Sequence, residues 1–336
     1  MTVAVNSSPS LASRLVNGVL AIKPLASLAK QRARQMMIKR AAMIGVDWLG
    51  EVAKLRARDW DADMASVQNP DLVYPAYYVR SFHAYEEGNL GWEPATEVEV
   101  AAYAVHARIW QEAGAQGDAM LRQSYHDILQ ATLPTAPTQI LDLGCSVGMS
   151  TFALQSIYPQ ASITGVDLSP YFLAVANYKA HARNQEATLL HPPAPQEVEA
   201  LKGVGSGAAG SQPSGTAPTW LHAAAESTGL PDASFDLVSA FLMFHELPQS
   251  AAIAILQEAR RLLRPGGYFA LMDMNPQSEI YTSMPPYILT LLKSTEPYLD
   301  EYFTLDLSQA IVAAGFEPPT IAANSPRHRT VIARAK

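Results

Sequence analysis

The chain has 336 residues, 49% of them hydrophobic, with one cysteine and a formal charge of −7. That length and apolar content support one large or two ordinary domains and exclude a mostly disordered chain. No apolar run is long enough to span a bilayer, and a lone thiol excludes an internal disulfide, a multi-thiolate zinc site and a cysteine-held iron–sulfur cluster. The thiol content fits a reducing, cytoplasmic setting. Seven of the 24 basic side chains fall within residues 1–46, which hold no carboxylate. The rest is strongly acidic, which argues against broad nucleic-acid binding, since that depends on phosphate neutralisation.

In chain order, residues 1–10, with Asn6, Ser7, Ser8, Pro9 and Ser10, read as a frayed terminus, and 28–58 have helical composition with basic residues throughout. The basic head fits a helix packed on the body with its charges in solvent, an amphipathic helix giving peripheral membrane contact through residues 1–46, or an organelle-targeting segment. An aromatic-dense stretch follows, with Tyr74, Tyr77, Tyr78, Phe82, His83, Tyr85 and Trp92 within nineteen residues. Helical patterns are expected at 96–115 and 118–132. From Pro137 short apolar or β-branched runs alternate with amphipathic stretches: 139–143, 162–167, 220–222, 235–240 and 268–274, then 320–324 and 330–333 after a helix at 306–314. Such alternation predicts a parallel α/β sheet with crossover helices. The Pro- and then Gly-rich stretch 187–219 breaks the pattern and reads as a flexible surface insertion without chemistry.

The strongest chemical signal is Ile140-Leu-Asp142-Leu-Gly144-Cys145-Ser146-Val-Gly148. A strand ends in a carboxylate, and a glycine-containing turn opens a helix whose N-terminal amides are free to meet a ligand. About nineteen residues later a second strand ends in Gly165-Val166-Asp167, where a carboxylate can accept hydrogen bonds from a ribose diol. The pair predicts an adenosine compound across both loops. The loop lacks the G-x-G-x-x-G spacing that holds a pyrophosphate. Asp142 would repel a pyrophosphate and suits an ammonium group, which disfavours a nicotinamide-dependent oxidoreductase, the rival enzyme class. The remaining rival is a catalytically silent protein at a membrane surface.

These residues resemble the class I S-adenosylmethionine-dependent methyltransferases. The resemblance runs from about residue 123 to the end. It includes Leu230-Pro231-Asp232-Ala233-Ser234-Phe235-Asp236 before the fourth strand and Leu262-Leu263-Arg264-Pro265-Gly266-Gly267 before the fifth. It implies a Rossmann-like, mostly parallel seven-stranded sheet with an antiparallel last strand, in residues 116–336. Residues 1–115 are then a helical N-terminal extension and a candidate substrate lid. It implies S-adenosylmethionine as cofactor, with Asp142 and the Gly144, Cys145, Ser146 and Gly148 backbone on the methionine portion. Asp167 would hold the ribose hydroxyls, Leu168, Ala225 and Glu226 would lie about the adenine, and Phe241 near the sulfonium methyl. Two departures stand out: Ser146 replaces a usual glycine, and Ala224 stands where an acid often receives the adenine amine.

The resemblance places His245, in Phe244-His245-Glu246-Leu247 after the fourth strand, on the acceptor side. His245 is therefore a candidate general base and substrate contact. Tyr77, Tyr78, Phe82, His83 and Tyr85 are candidates to clamp a flat or lipophilic acceptor, and 280–302 a candidate acceptor wall. Cys145 lies in the cofactor loop, so a covalent cysteine mechanism on a pyrimidine carbon is excluded. The position used for an Asp/Asn-Pro-Pro-aromatic motif in DNA amino-methylases reads Ser239-Ala240-Phe241-Leu242, while Met284-Pro285-Pro286-Tyr287 falls after the fifth strand and reads as a turn opening a helix. The expected reaction is in-line methyl transfer to a small molecule, without a metal ion or a nucleic-acid partner.

Overall fold

A computed structural model describes residues 23–81, 85–190 and 217–336. Phe82, His83, most of the Gly-rich insertion and the first part of the basic head lie outside the described residues. Among the described residues no helix is long and apolar enough to cross a membrane.

The described residues begin with helices α1 (Lys23–Met43), α2 (Trp48–Arg56), α3 (Asp61–Val67) and α4 (Trp92–His106), followed by α5 (Gly117–Thr132). The sheet elements then alternate: β1 (Gln139–Leu143), α6 (Met149–Ile157), β2 (Ser162–Asp167), α7 (Pro170–Leu190), β3 (Thr219–His222), β4 (Phe235–Phe241), α8 (Gln249–Leu262) and β5 (Leu263–Met274). Short helices α9 (Glu279–Thr282), α10 (Pro286–Thr295), α11 (Leu299–Thr304) and α12 (Leu307–Ala313) lead to β6 (Thr320–Ala323) and β7 (His328–Arg334). The seven strands lie in the order β3-β2-β1-β4-β5-β7-β6. β7 runs antiparallel to both its neighbours, and every other pair is parallel. The expected Rossmann-like sheet is therefore present, and its reversed strand is the last in sequence. Helix α7 continues to Leu190, slightly beyond where the break in pattern was expected.

Alternation along the central strands fills two cores. Ile140, Leu237 and Met272 face one side, where Leu121, Tyr125 and Leu129 of α5 cover them. Leu141, Val238 and Leu271 face the other, under Ile255, Leu256, Ala259 and Leu262 of α8. Side chains buried this fully contribute about 1.5–3 kcal/mol each. The Tyr125 hydroxyl also meets Ser239 Oγ at 2.8 Å and donates to the Ala270 carbonyl at 3.3 Å, which fixes α5 in rotation against the sheet.

Glu97 on α4 is fully buried and accepts from Arg34 of α1, Arg56 of α2 and Tyr85. Trp60 stacks on Trp92 at 5.1 Å, and Arg58 lies 4.2 Å from the Tyr178 ring of α7. The basic head therefore does not present all its charge to water. Arg34 turns inward to Glu97 and Arg40 donates to the Ala104 carbonyl, while Arg32 and Lys39 are exposed. Bringing these helices over the carboxyl edge of the sheet encloses the site.

Candidate functional site

The β1–α6 loop is built on left-handed backbone. Gly144, Ser146 and Gly148 take φ of +65°, +50° and +84°. A Cβ on Gly144 would lie 2.5 Å from Met243 Sδ, and one on Gly148 would lie 2.8 Å from Trp220 and 2.9 Å from Phe152. Both positions need glycine for conformation and for space. Ser146 accepts the strained conformation without that freedom, and its hydroxyl is buried with no hydrogen-bond partner among the described residues. At the end of β4, Leu242 also has positive φ (+56°) and donates its N–H to the Met272 carbonyl at 2.8 Å. This turn swings the following residues, including His245, toward the same edge.

Asp167 ends β2 and is 7% exposed. It accepts from the Ser169 N–H at 2.8 Å, the Ser146 N–H at 2.9 Å and, more weakly, the Tyr78 hydroxyl at 3.5 Å. Burial pushes its pKa up to about 6 against those hydrogen bonds. His222 accepts the Asn69 N–H at Nδ1, so its proton sits on Nε2 and is donated to the Leu168 carbonyl at 3.0 Å. This links the segment entering the aromatic stretch to the β2 loop.

Asp142 differs from its expected placement. It shares the face of Ile140, not the strand's open end, and is wholly buried beneath the first turn of α6. Oδ2 accepts from Ser150 Oγ at 2.7 Å and Thr151 Oγ1 at 2.6 Å, while Oδ1 has no partner among the described residues. Burial raises its pKa to about 6. Asp142 fixes the helix that follows the loop and does not line the cavity.

A cavity of about 870 Å³ runs along the carboxyl edge. Of the cofactor candidates, Gly144, Cys145, Ser146, Asp167, Leu168, Ala225 and Phe241 line it, whereas Asp142, Gly148 and Glu226 stand behind the wall. Glu226 is engaged by the Tyr77 hydroxyl at 2.8 and 2.9 Å. Of the acceptor candidates, Tyr77, Tyr78, Tyr85 and His245 line the cavity. Ile280, Tyr281, Met284, Ile288 and Leu292 form an apolar wall from the segment expected to do so. Cys145 is buried, and burial with the nearby carboxylates holds its thiol protonated.

His245 donates from Nδ1 to Asp273 Oδ1 at 2.7 Å, and its N–H reaches Oδ2 at 3.2 Å. Burial works against charging this imidazole, but buried Asp273, with Glu296 and Glu246 nearby, raises its pKa to about 10. It is an imidazolium at neutral pH. The potential ligand atoms of His245, Glu246 and Glu296 lie within 4.8 Å of one another.

Sequence reading missed Asp273 and Arg122. Asp273 had a signal, an acid near the end of a strand as at β1 and β2. Arg122 on α5 donates to Asp118 from Nε at 2.9 Å and Nη2 at 3.3 Å and sits 4.5 Å from the Phe241 ring. Nothing in its local sequence distinguishes it from a surface arginine.

A family described as a methyltransferase domain matches residues 141–271. An uncharacterized methyltransferase of Synechocystis sp. is 26% identical over 195 residues, covering 58% of this chain and 74% of that protein. A demethylmenaquinone methyltransferase of Thermus thermophilus is 28% identical over 144 residues, covering 43% of this chain and 50% of that one. A solved protein from Nostoc punctiforme shares the fold, with a TM-score of 0.50 at 16% identity, covering 86% of this chain and 73% of that one. Residues 141–271 are thus a methyltransferase domain, and the strand order and glycine loop are those implied by the resemblance to the class I S-adenosylmethionine-dependent methyltransferases.

Proposed function

We propose that the protein methylates a small acceptor with an apolar body, using S-adenosylmethionine held across the β1 and β2 loops. The observation that carries this reading is the cavity itself. It joins Gly144, Ser146 and Asp167 at one end to His245 and the wall from Ile280 to Leu292 at the other. The residues fit the cofactor: a buried acid for the ribose, two positions closed to any Cβ beside it, and the unpartnered Ser146 hydroxyl. Asp167 would accept the ribose hydroxyls, and Leu168 and Ala225 would pack on the base. Cys145 and the Gly144–Ser146 backbone would bound the amino acid end, with Phe241 beside the reacting centre. Asp142 and Gly148 would act from behind, by setting the loop.

When bound, this cofactor supplies a methyl group already activated on a sulfonium. The chain's part is then to align the acceptor and exclude water. Tyr77 and Tyr78 cap the nucleoside end through Glu226 and Asp167. His245, clamped by Asp273, holds a proton at the acceptor end. As an imidazolium it donates to an electron-rich acceptor atom, and it serves as a base only near or above its raised pKa. Calorimetry with S-adenosylhomocysteine tests the donor half, where micromolar binding is expected and no binding refutes it. Incubation with labelled donor and cell extract tests the acceptor half: a labelled apolar small molecule is expected, and label confined to polymer refutes it.

A further inference from the structure

We propose that Arg122 is the anchor for the carboxylate of the bound nucleoside amino acid, an inference that rests on the donor site proposed above. The guanidinium lines the cavity and is fixed on two sides. Asp118 holds its Nε and Nη2 and is itself held by His106 Nδ1 at 2.7 Å. Burial opposes ionisation of Asp118, but Arg122 and His106 drive its pKa well below the carboxylate range, so the clamp is a true ion pair. The Phe241 ring supports the guanidinium from the other side, its centroid 4.5 Å from the guanidinium carbon. Nη1 remains, buried and without a partner among the described residues. A buried guanidinium nitrogen without an acceptor is costly, and a planar fork of this kind is matched by a carboxylate.

The surroundings select the kind of anion. Asp118 holds the guanidinium and Asp167 lines the same cavity, both buried, so a phosphate dianion would meet two carboxylates. A zwitterion suits them better, with its carboxylate on Arg122 and its ammonium toward the loop. Phe241 also ties the arginine to the proposed donor end, because the same ring supports the guanidinium and borders the cavity beside Gly144. α5 is held in register by the Tyr125–Ser239 contact, so Arg122 is delivered to the β4 edge by a rigid element.

The experiment is calorimetry on the full chain with three probes: S-adenosylhomocysteine, its decarboxylated analogue and 5′-methylthioadenosine. Wild type is expected to bind the first roughly 10- to 100-fold more tightly than the second, the range for a hydrogen bond to a charged group. In Arg122→Gln that preference falls to a few-fold, while methylthioadenosine binding is retained and reports an intact fold. Arg122→Lys, which keeps a cation for Asp118 but loses the fork, gives an intermediate preference. Equal wild-type affinity for the first two probes overturns the inference without using a variant. So does a preference that survives in Arg122→Gln, or normal S-adenosylhomocysteine binding with loss of transfer alone, which would assign the arginine to the acceptor. If wild type binds none of the three, the donor site itself is wrong.

Discussion

Replacing Asp273 by Asn leaves the shape of the buried pair and removes its charge. In the folded protein His245 titrates near 10, against an ordinary value of 6.5 in the unfolded chain. The folded state therefore holds a proton that the unfolded state gives up as the pH rises. The stabilisation is fully present below about pH 6.5 and is lost as the pH climbs through 10. A tenfold difference in proton affinity between the two states is worth about 1.4 kcal/mol, so at pH 7 the pair contributes about 4 kcal/mol at most, of which about 2 kcal/mol disappears by pH 9. Other groups also titrate in that window, so the reading is the difference between two proteins. Urea unfolding at pH 7, 8 and 9 should show wild type losing about 2 kcal/mol relative to Asp273→Asn. At pH 7 the variant should be the less stable by a few kcal/mol, as expected when one partner of a buried pair is neutralised. Parallel stability curves for the two proteins between pH 7 and 9 would show that His245 is not held as an imidazolium, and the assigned role would fall with it.

Four more outcomes follow from the site. Asp167→Ala should weaken S-adenosylhomocysteine binding by about 2–3 kcal/mol, the loss of charge-assisted hydrogen bonds. Because burial raises the Asp167 pKa to about 6, wild-type affinity should also decline as the pH drops below 6, and a flat calorimetric profile from pH 5 to 8 would contradict this. Tyr77→Phe removes the hydroxyl that meets Glu226 at 2.8 Å, so S-adenosylhomocysteine should dissociate about tenfold faster in stopped flow. An unaltered rate would show that this segment does not close the nucleoside end. Gly148→Ala places a Cβ at φ +84° against Trp220 and Phe152 and should cost about 2 kcal/mol or more in chemical unfolding, where a neutral result would mean the loop relaxes freely.

The sheet was readable because its central strands are buried on both faces and its strands follow one another with strong local punctuation. All seven expected runs became strands, with β5 starting at Leu263 ahead of its expected run, and Gly144, Ser146 and Asp167 line the cavity. Asp142 shows where linear reading stops. The pleat sends successive side chains to opposite faces, so a strand-end acid can point into a helix instead of the ligand space. Asp273 lies 28 residues from His245 and Arg122 lies more than a hundred from Phe241. Such pairs are made by strand order and helix placement, which no local pattern encodes. The basic head was legible as helix, but the burial of Glu97 that draws Arg34 inward depends on packing between α1 and α4.

The cavity wall divides along the sequence in a telling way. The segment matched by the methyltransferase family, 141–271, supplies the glycine loop and Asp167, while Arg34, Met37, Val98, Ala101, Ile288 and Leu292 come from outside it. The rest of the wall can thus vary through two peripheral stretches of chain while the glycine loop and Asp167 stay unchanged. Relatives that agree only across the shared centre would then differ freely in what they modify.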